Sequence, residues 1–177
     1  YDHVAMMYAY DKKDVLEAKG WLEALEEFAT LYHDLRALGD AHFSAAGILD
    51  HSGDSYGAIS RLDKALEVFE KIGDAKQKEL CLSRLSDIYV ALGDLSAAKE
   101  CARAELEVAE QTQGRGAIAY AYWHLGQIRM CEGDWEQAVS ALQEAVRLFQ
   151  GAEDRWDEGG SESRKLTRVD SKFRNIM

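Results

Sequence analysis

The chain has 177 residues, no proline and a formal net charge of −11, and 47% of its residues are hydrophobic. This length allows one domain or an array of small units, and the abundant Ala, Leu and Glu without proline favour helices over strands. The chain has no apolar run long enough to span a membrane, no signal-peptide pattern and only three widely spaced cysteines, which predicts a cytoplasmic, reducing location. Because Tyr1 stands in place of Met, we expect the chain to be part of a longer protein.

One sequence pattern recurs every 40 residues along the chain. Four aspartates have this spacing, and so do the four alanines that follow them by four residues: Asp14, Asp54, Asp94, Asp134 and Ala18, Ala58, Ala98, Ala138. In the last three copies a glycine precedes the aspartate. Glycine can close one helix in a left-handed conformation and aspartate can cap the next. We therefore predict helix-turn-helix turns near residues 13–14, 53–54, 93–94 and 133–134, the first of them without a glycine.

Apolar and small residues flank each predicted turn at helical spacing. After the turns these are Ile59, Leu62, Ala65 and Leu66 in the second copy, and Val139, Leu142, Ala145 and Val146 in the fourth. Boundaries between copies are predicted at 71–76 (KIGDAK), and more weakly at 112–116 (TQGRG) and 150–154 (QGAED). Gly39-Asp40 comes late relative to Gly73-Asp74, so we expect the second helix of the first copy to run long and the following helix to start late.

The stretch HLGQIRMCEGDWEQAVSALQEAVRLF, residues 124–149, resembles a tetratricopeptide repeat, whose common form is shorter than the interval in this chain. The 40-residue spacing is similar to the longer variant in bacterial signalling regulators and eukaryotic adaptor scaffolds. The resemblance covers residues 1 to about 150. It implies an all-α superhelix, or solenoid, of about four helix-turn-helix repeats, which we assign to a domain over residues 1–158.

The resemblance also implies that the first helix of each repeat lines a concave groove. The positions concerned are Phe43, Gly47 and Asp50, then Ser83, Asp87 and Val90, then Trp123, Gln127 and Met130. Such a groove is aromatic, partly apolar and mildly acidic, so we predict a basic or amphipathic peptide or helical segment of a protein partner. No Lys, Arg or Asn stands at these places to clamp a terminal carboxylate, which argues against binding of Hsp70 or Hsp90 tails. Core packing is the alternative role for Trp123 and Phe43.

Two motifs of catalytic and metal-binding sites are missing from the sequence, the phosphate loop and HExxH. The histidines are dispersed, and the nine-residue spacing of His42 and His51 is poor for a metal. Acidic runs at 22–28 and 105–110 are interpreted as solvated helix faces. We therefore predict a protein that is not an enzyme and has no cofactor or metal, and the net negative charge argues against direct nucleic-acid binding.

The last residues differ from the rest in charge. Gly159-Gly160-Ser161 would interrupt a fifth repeat, so residues 159–177 are predicted to be a linker followed by a basic amphipathic tail. Its predicted contact residues are Arg164, Lys165, Leu166, Arg168, Val169 and Phe173. The tail could be a helix that caps the last repeat, or a tethered ligand that engages the acidic groove.

Two functions remain open at this point. The first is an adaptor or scaffold that binds a partner segment in its concave groove, without catalysis and without membrane contact. The second is the sensory or autoinhibitory repeat domain of a larger regulator, for example a bacterial transcriptional or signalling protein.

Overall fold

A computed structural model describes the backbone of residues 15–153 and the side chains of residues 20–150. Over these residues the chain forms seven α-helices and no strand, which confirms the predicted all-α class. The helices are α1 (Val15–Leu31), α2 (Leu35–His51), α3 (Ser55–Ile72), α4 (Ala75–Leu92), α5 (Leu95–Gln111), α6 (Arg115–Glu132) and α7 (Trp135–Glu153).

The helices stack in two rows. Each helix packs against the next one in sequence, and α4 also packs directly against α6. We call α2, α4 and α6 the inner row, since direct packing within this row indicates that it lies on the inside of the curve. The outer row consists of α1, α3, α5 and α7. This arrangement is the helical repeat superhelix that the sequence predicts.

The turns within the repeats have the predicted geometry. Gly53, Gly93 and Gly133 adopt φ angles of 89°, 79° and 79°, the left-handed region that glycine favours. The carboxylate of the following aspartate accepts a hydrogen bond from a backbone N–H in the first turn of the next helix, as Asp94 does from Ala97 at 3.1 Å. The turn predicted at residues 13–14 lies outside the described residues.

The expectation for Gly39-Asp40 is wrong. The first boundary between repeats lies at residues 32–34, and Gly39 and Asp40 are inside α2. Asp34 caps α2 by accepting from the N–H of Ala37 at 3.0 Å, and His33 adopts the left-handed conformation at φ 54°. Gly39 instead allows close packing, because a Cβ atom there would lie 2.7 Å from the ring of Phe69.

The other boundaries between repeats agree with the predicted boundaries to different degrees. At 71–76, Gly73 ends α3 and Asp74 caps α4. At 112–116, Gln113 takes the left-handed position at φ 54° and Gly114 is the residue before α6. Gly151 does not interrupt α7, which is described to Glu153. The proposed linker and tail, residues 159–177, lie outside the described residues.

The core follows the repeat pattern except at the last helix. Leu62, Ala65 and Phe69 are buried in one cluster with residues of α4, and Ile59 and Leu66 pack against it. In α7 the equivalent residues Val139 and Val146 are 52% and 37% exposed, contrary to the expected pattern. The reason is geometric, since these side chains face the side on which a following helix would pack and none of the described helices follows α7.

Candidate partner-binding surface

A cleft opens between α2 and α4 of the inner row. It has a volume of about 370 Å³, and we call it the inner cleft. The residues that determine its chemistry are Asp40, Phe43, Gly47, Asp50, Leu80 and Arg84. Three of the predicted groove residues, Phe43, Gly47 and Asp50, are therefore brought together in one concave site.

The walls of the inner cleft differ in character. Phe43 packs against the buried core, and Leu62 and Ile88 also line the cleft, so part of its surface is apolar. Asp40 and Asp50 belong to the α2 wall, while the α4 wall contributes Arg84 and the exposed Leu80. An apolar surface beside carboxylates is suited to an amphipathic segment with cationic side chains.

The remaining predicted groove residues lie outside the inner cleft. On α4, Ser83 and Val90 are half-buried and Asp87 is exposed, while Gln127 and Met130 on α6 are half-buried. Trp123 is only 9% exposed, in a core cluster with four residues of α6 and α7: Ala119, Ala145, Leu148 and Phe149. For Trp123 the structure supports the core-packing alternative, and binding of a partner by the other residues stays a prediction.

A buried ionic network links the inner row to α5. The Nδ1 atom of His124 donates to Oε2 of Glu105 at 2.7 Å, and its Nε2 atom lies 3.4 Å from Oδ1 of Asp87. Burial alone would lower the pKa of His124, but hydrogen bonds and charge from Asp87 and Glu105 outweigh it and raise the pKa from 6.5 to about 9. His124 is therefore an imidazolium at neutral pH.

The interpretation of residues 105–110 as a solvated face is wrong for Glu105, whose side chain is fully buried. Its Oε1 atom has no hydrogen-bond partner among the described residues. The sequence carried a signal for this feature in the repeat register, because Ala65 and Ala145 hold the equivalent positions in the preceding and following repeats. A carboxylate at a position that alanine occupies in the adjoining repeats must either be buried where the helices pack or push the helices apart.

A second buried histidine has different surroundings. His42 accepts a hydrogen bond from Nη1 of Arg61 at 3.0 Å, and the same guanidinium forms an ion pair with Glu26. Burial lowers the pKa of His42, with a further decrease from the charge of Arg61, although the charge of Glu26 opposes both effects. His42 is thus a neutral hydrogen-bond acceptor.

The described part of the chain contains neither a cluster of metal ligands nor a helix that could span a membrane. No three His, Cys, Asp or Glu side chains of residues 20–150 are grouped so that they could hold a metal ion. None of the described helices is both long and apolar enough to cross a bilayer.

Residues 81–112 match the family model described as Tetratricopeptide repeat, which confirms the resemblance seen in the sequence. These residues cover most of α4 and all of α5, and thus most of one helix pair. The fold is that of a helical repeat protein, and residues 81–112 are similar to one tetratricopeptide repeat. Repeats of this family generally mediate protein–protein interactions.

Solved structures show the same fold. The signal transduction ATPase with numerous domains (STAND) with a tetratricopeptide repeat sensor from Pyrococcus horikoshii aligns with a TM-score of 0.78 at 21% identity, over 85% of this chain and 23% of that one. BtubC (BKLC) from P. vanneervenii aligns with a TM-score of 0.74 at 16% identity, over 86% of this chain and 63% of that one. A comparison with curated proteins found no match.

Proposed function

We propose that the protein is an adaptor or scaffold module that binds a basic or amphipathic segment of a partner protein in the inner cleft, without catalysis or a cofactor. The observation that carries the proposal is the inner cleft itself, in which Asp40 and Asp50 stand beside the apolar surface formed by Phe43 and Leu80. The interaction role of the matched repeat family supports it.

Binding would combine two physical contributions. Apolar side chains of the partner would lose contact with water against Phe43 and Leu80, which provides the main favourable free energy. Cationic side chains would be attracted by Asp40 and Asp50, which sets the orientation and accelerates association. Asp87, 47% of whose side chain is exposed, extends the negative potential along α4.

The proposal is tested by calorimetric titration with a synthetic peptide of the sequence of residues 161–177, which has the required basic and amphipathic pattern. The peptide is titrated into the full chain carrying Arg164→Glu and Arg168→Glu, so that the tail of the chain itself does not compete. We expect salt-sensitive binding that Asp50→Lys weakens by about tenfold or more.

Asp63→Lys is the matched control, because Asp63 is an exposed residue of the outer row and does not line the inner cleft. It makes the same change in net charge as Asp50→Lys. Equal weakening by both substitutions would indicate attraction to overall charge and would contradict binding in the cleft. An absence of binding to the unsubstituted cleft would contradict the proposed ligand chemistry.

A second candidate function is supported by one comparison. The Pyrococcus horikoshii protein is described as having a tetratricopeptide repeat sensor, and this chain aligns with less than a quarter of it. We infer as the alternative that the chain is the sensory or autoinhibitory domain of a larger regulator. Sequencing the gene on both sides of the chain distinguishes the two, since an adjoining ATPase or DNA-binding domain favours the regulator.

Two further predictions belong with this proposal. The tail, residues 161–177, is proposed to cap the last repeat or to occupy the inner cleft, and the titration above measures the second possibility directly. A cytoplasmic location is supported by the three cysteines, all of which are free thiols: Cys81, Cys101 and Cys131.

A further inference from the structure

A larger groove lies between α5 and α7 of the outer row and is also lined by residues of α6. Its volume is about 620 Å³, and we call it the outer groove. Four cationic side chains line it, from all three helices: Lys99, Arg103, Arg129 and Arg147. Among the described residues, Glu144 is the one acidic member of its lining. This local excess of positive charge contrasts with the net charge of −11 of the whole chain.

The positive charge is a property of this repeat and is not required by the fold. At the equivalent positions of the preceding repeat, the four cations are replaced by Ile59, Asp63, Tyr89 and Glu107. The equivalent place between α3 and α5 is therefore apolar and acidic, although the helices pack in the same way. A structural requirement of helix stacking would apply to both places, so stacking does not explain the four cations.

The cations of the outer groove are available to a ligand. Arg103 has no acidic partner within 4.0 Å among the described residues. Lys99 and Arg129 share Glu132, with N–O distances of 2.8 Å and 3.2 Å, and Arg129 also lies 3.7 Å from Asp134. Arg147 pairs with Glu144 one helical turn away. These pairs are at the surface, where water screens them, so an incoming anion can replace the acidic partner at little cost.

We propose that the outer groove binds a short segment of a partner protein that is rich in Asp and Glu. Guanidinium groups hold carboxylates through paired N–H donors, and three of the four cations are arginines. Gln137, Ser140 and Gln143 add neutral hydrogen-bonding groups along the wall formed by α7. Nucleic acid is the less suitable anion, because four cations neutralise few phosphates and the rest of the molecule repels a long polyanion.

This inference goes beyond the proposed function and does not depend on it. The inner cleft would take a basic segment and the outer groove an acidic one, at two separate places on the same helix stack. An adaptor built in this way could hold two different partners at once, because their binding surfaces share no lining residue.

The test uses the full chain and a short oligo-glutamate peptide as probe, with an oligo-glutamine peptide of equal length as the neutral reference. Calorimetric titration at low salt should show binding of oligo-glutamate only, and the affinity should fall as salt is added. Arg103→Glu with Arg147→Glu should weaken binding by about tenfold or more. Both residues are exposed, so we expect the variant to fold, and Arg103→Gln with Arg147→Gln provides a milder change of the same sites.

The tail is the main competitor for this probe, because it is also basic. Arg164→Glu with Arg168→Glu reverses two charges there and is the matched control, which should leave most of the binding intact. The proposal is overturned if the tail variant abolishes binding while the groove variant retains it, or if the full chain binds no oligo-glutamate. Tighter binding of single-stranded DNA, lost in the groove variant, would also overturn it and would assign the groove to nucleic acid.

Discussion

Glu105 is a carboxylate at a position where Ala65 and Ala145 stand in the adjoining repeats. Its side chain is fully buried, and burial of an unpaired charge in a helix interface would be strongly unfavourable. His124 removes that penalty by presenting an imidazolium 2.7 Å away, and Asp87 shares the same cation from the inner row. These three side chains therefore connect α4, α5 and α6 at one point.

His124→Gln tests the importance of this cation. The variant leaves Glu105 buried without its charged partner, and we expect it to lower the free energy of unfolding by about 3–5 kcal/mol at pH 6. The pKa of His124 is raised in the folded state, so its stabilising contribution is complete below pH 6.5 and is lost as pH rises through about 9. Urea unfolding of both proteins from pH 6 to 10 should show the difference shrinking toward high pH, and a constant difference would contradict it.

Replacing both partners provides the complementary prediction. Glu105→Ala restores the residue of the adjoining repeats, and His124→Leu removes the cation without leaving a charge unpaired. We expect the double variant to be more stable than either single variant, because a buried pair can be exchanged for apolar packing at little net cost. A double-mutant cycle measured by urea unfolding gives the coupling free energy. Additive effects of the two substitutions would contradict the pairing.

At the scale of the elements, the turns between repeats share one backbone geometry but not one residue type. His33, Gly73 and Gln113 stand at equivalent positions of successive repeats, and all three have φ between 54° and 71°. Only glycine adopts this conformation without steric cost. The repeat therefore imposes the same turn on residues that disfavour it, because the packing of the helices on each side determines where the chain must reverse.

Gln113→Gly should accordingly stabilise the protein. The left-handed conformation costs a residue with a Cβ atom about 1 kcal/mol, and we expect a gain of about that size in the free energy of unfolding. The reverse substitution at the equivalent position, Gly73→Gln, should destabilise by a similar amount. Thermal unfolding of the two variants provides the measurement, and a loss of stability in Gln113→Gly would show that its side chain has another role.

Helix α6 contains two glycines with different roles, which makes a matched pair of variants. A Cβ atom at Gly126 would lie 2.7 Å from the Leu142 side chain, so Gly126→Ala should push α6 and α7 apart and destabilise by about 1–3 kcal/mol. A Cβ atom at Gly116 would meet nothing within 4 Å, so Gly116→Ala should be neutral or slightly stabilising. Equal effects in chemical denaturation would contradict this account of their packing.

At the scale of the whole molecule, the three thiols report on the integrity of the stack. Burial raises the pKa of Cys81 to about 12, with a smaller increase from Asp40, and burial likewise raises the pKa of Cys101 to about 11, with a smaller increase from Asp63. Cys131 is exposed. At neutral pH a thiol reagent should modify Cys131 rapidly, the half-buried Cys101 more slowly, and the buried Cys81 only as fast as the stack opens. Cys131→Ser should remove the rapid phase, and a rapid phase that persists would contradict the burial of the other thiols.

Charge is distributed unevenly over the molecule, and the net charge alone does not show this distribution. The inner cleft carries carboxylates at its α2 wall, while the outer groove collects cations from three successive helices. Lys99 on α5 and Arg147 on α7 are separated in sequence by the whole of α6, yet both line the outer groove. Net charge therefore predicts the behaviour of the protein toward large polyanions, whereas the segments that we propose for the inner cleft and the outer groove follow from local charge.

The sequence by itself determined the class of fold, the repeat length and three of the turns. These are local properties: a glycine that ends a helix, an aspartate that caps the next and apolar residues at helical spacing act within a few residues of one another. Composition, together with the missing phosphate-loop and HExxH motifs, also predicts an interaction surface rather than an active site. The family resemblance implies that Phe43 and Asp50 belong to a concave groove, and both residues line the inner cleft.

Only the tertiary structure decided the features that depend on packing between repeats. The sequence does not predict the boundary at residues 32–34, because histidine adopts the left-handed conformation found at His33 much less readily than glycine does. Gly39 suggests a turn at the wrong place, since this glycine allows close packing against Phe69 and does not form a turn. Burial of Trp123 and Glu105 depends on which side of a helix meets its neighbour, and a rotation of one residue changes that side by about 100°. The outer groove exists only once α5, α6 and α7 are stacked, because no single helix contains its charge.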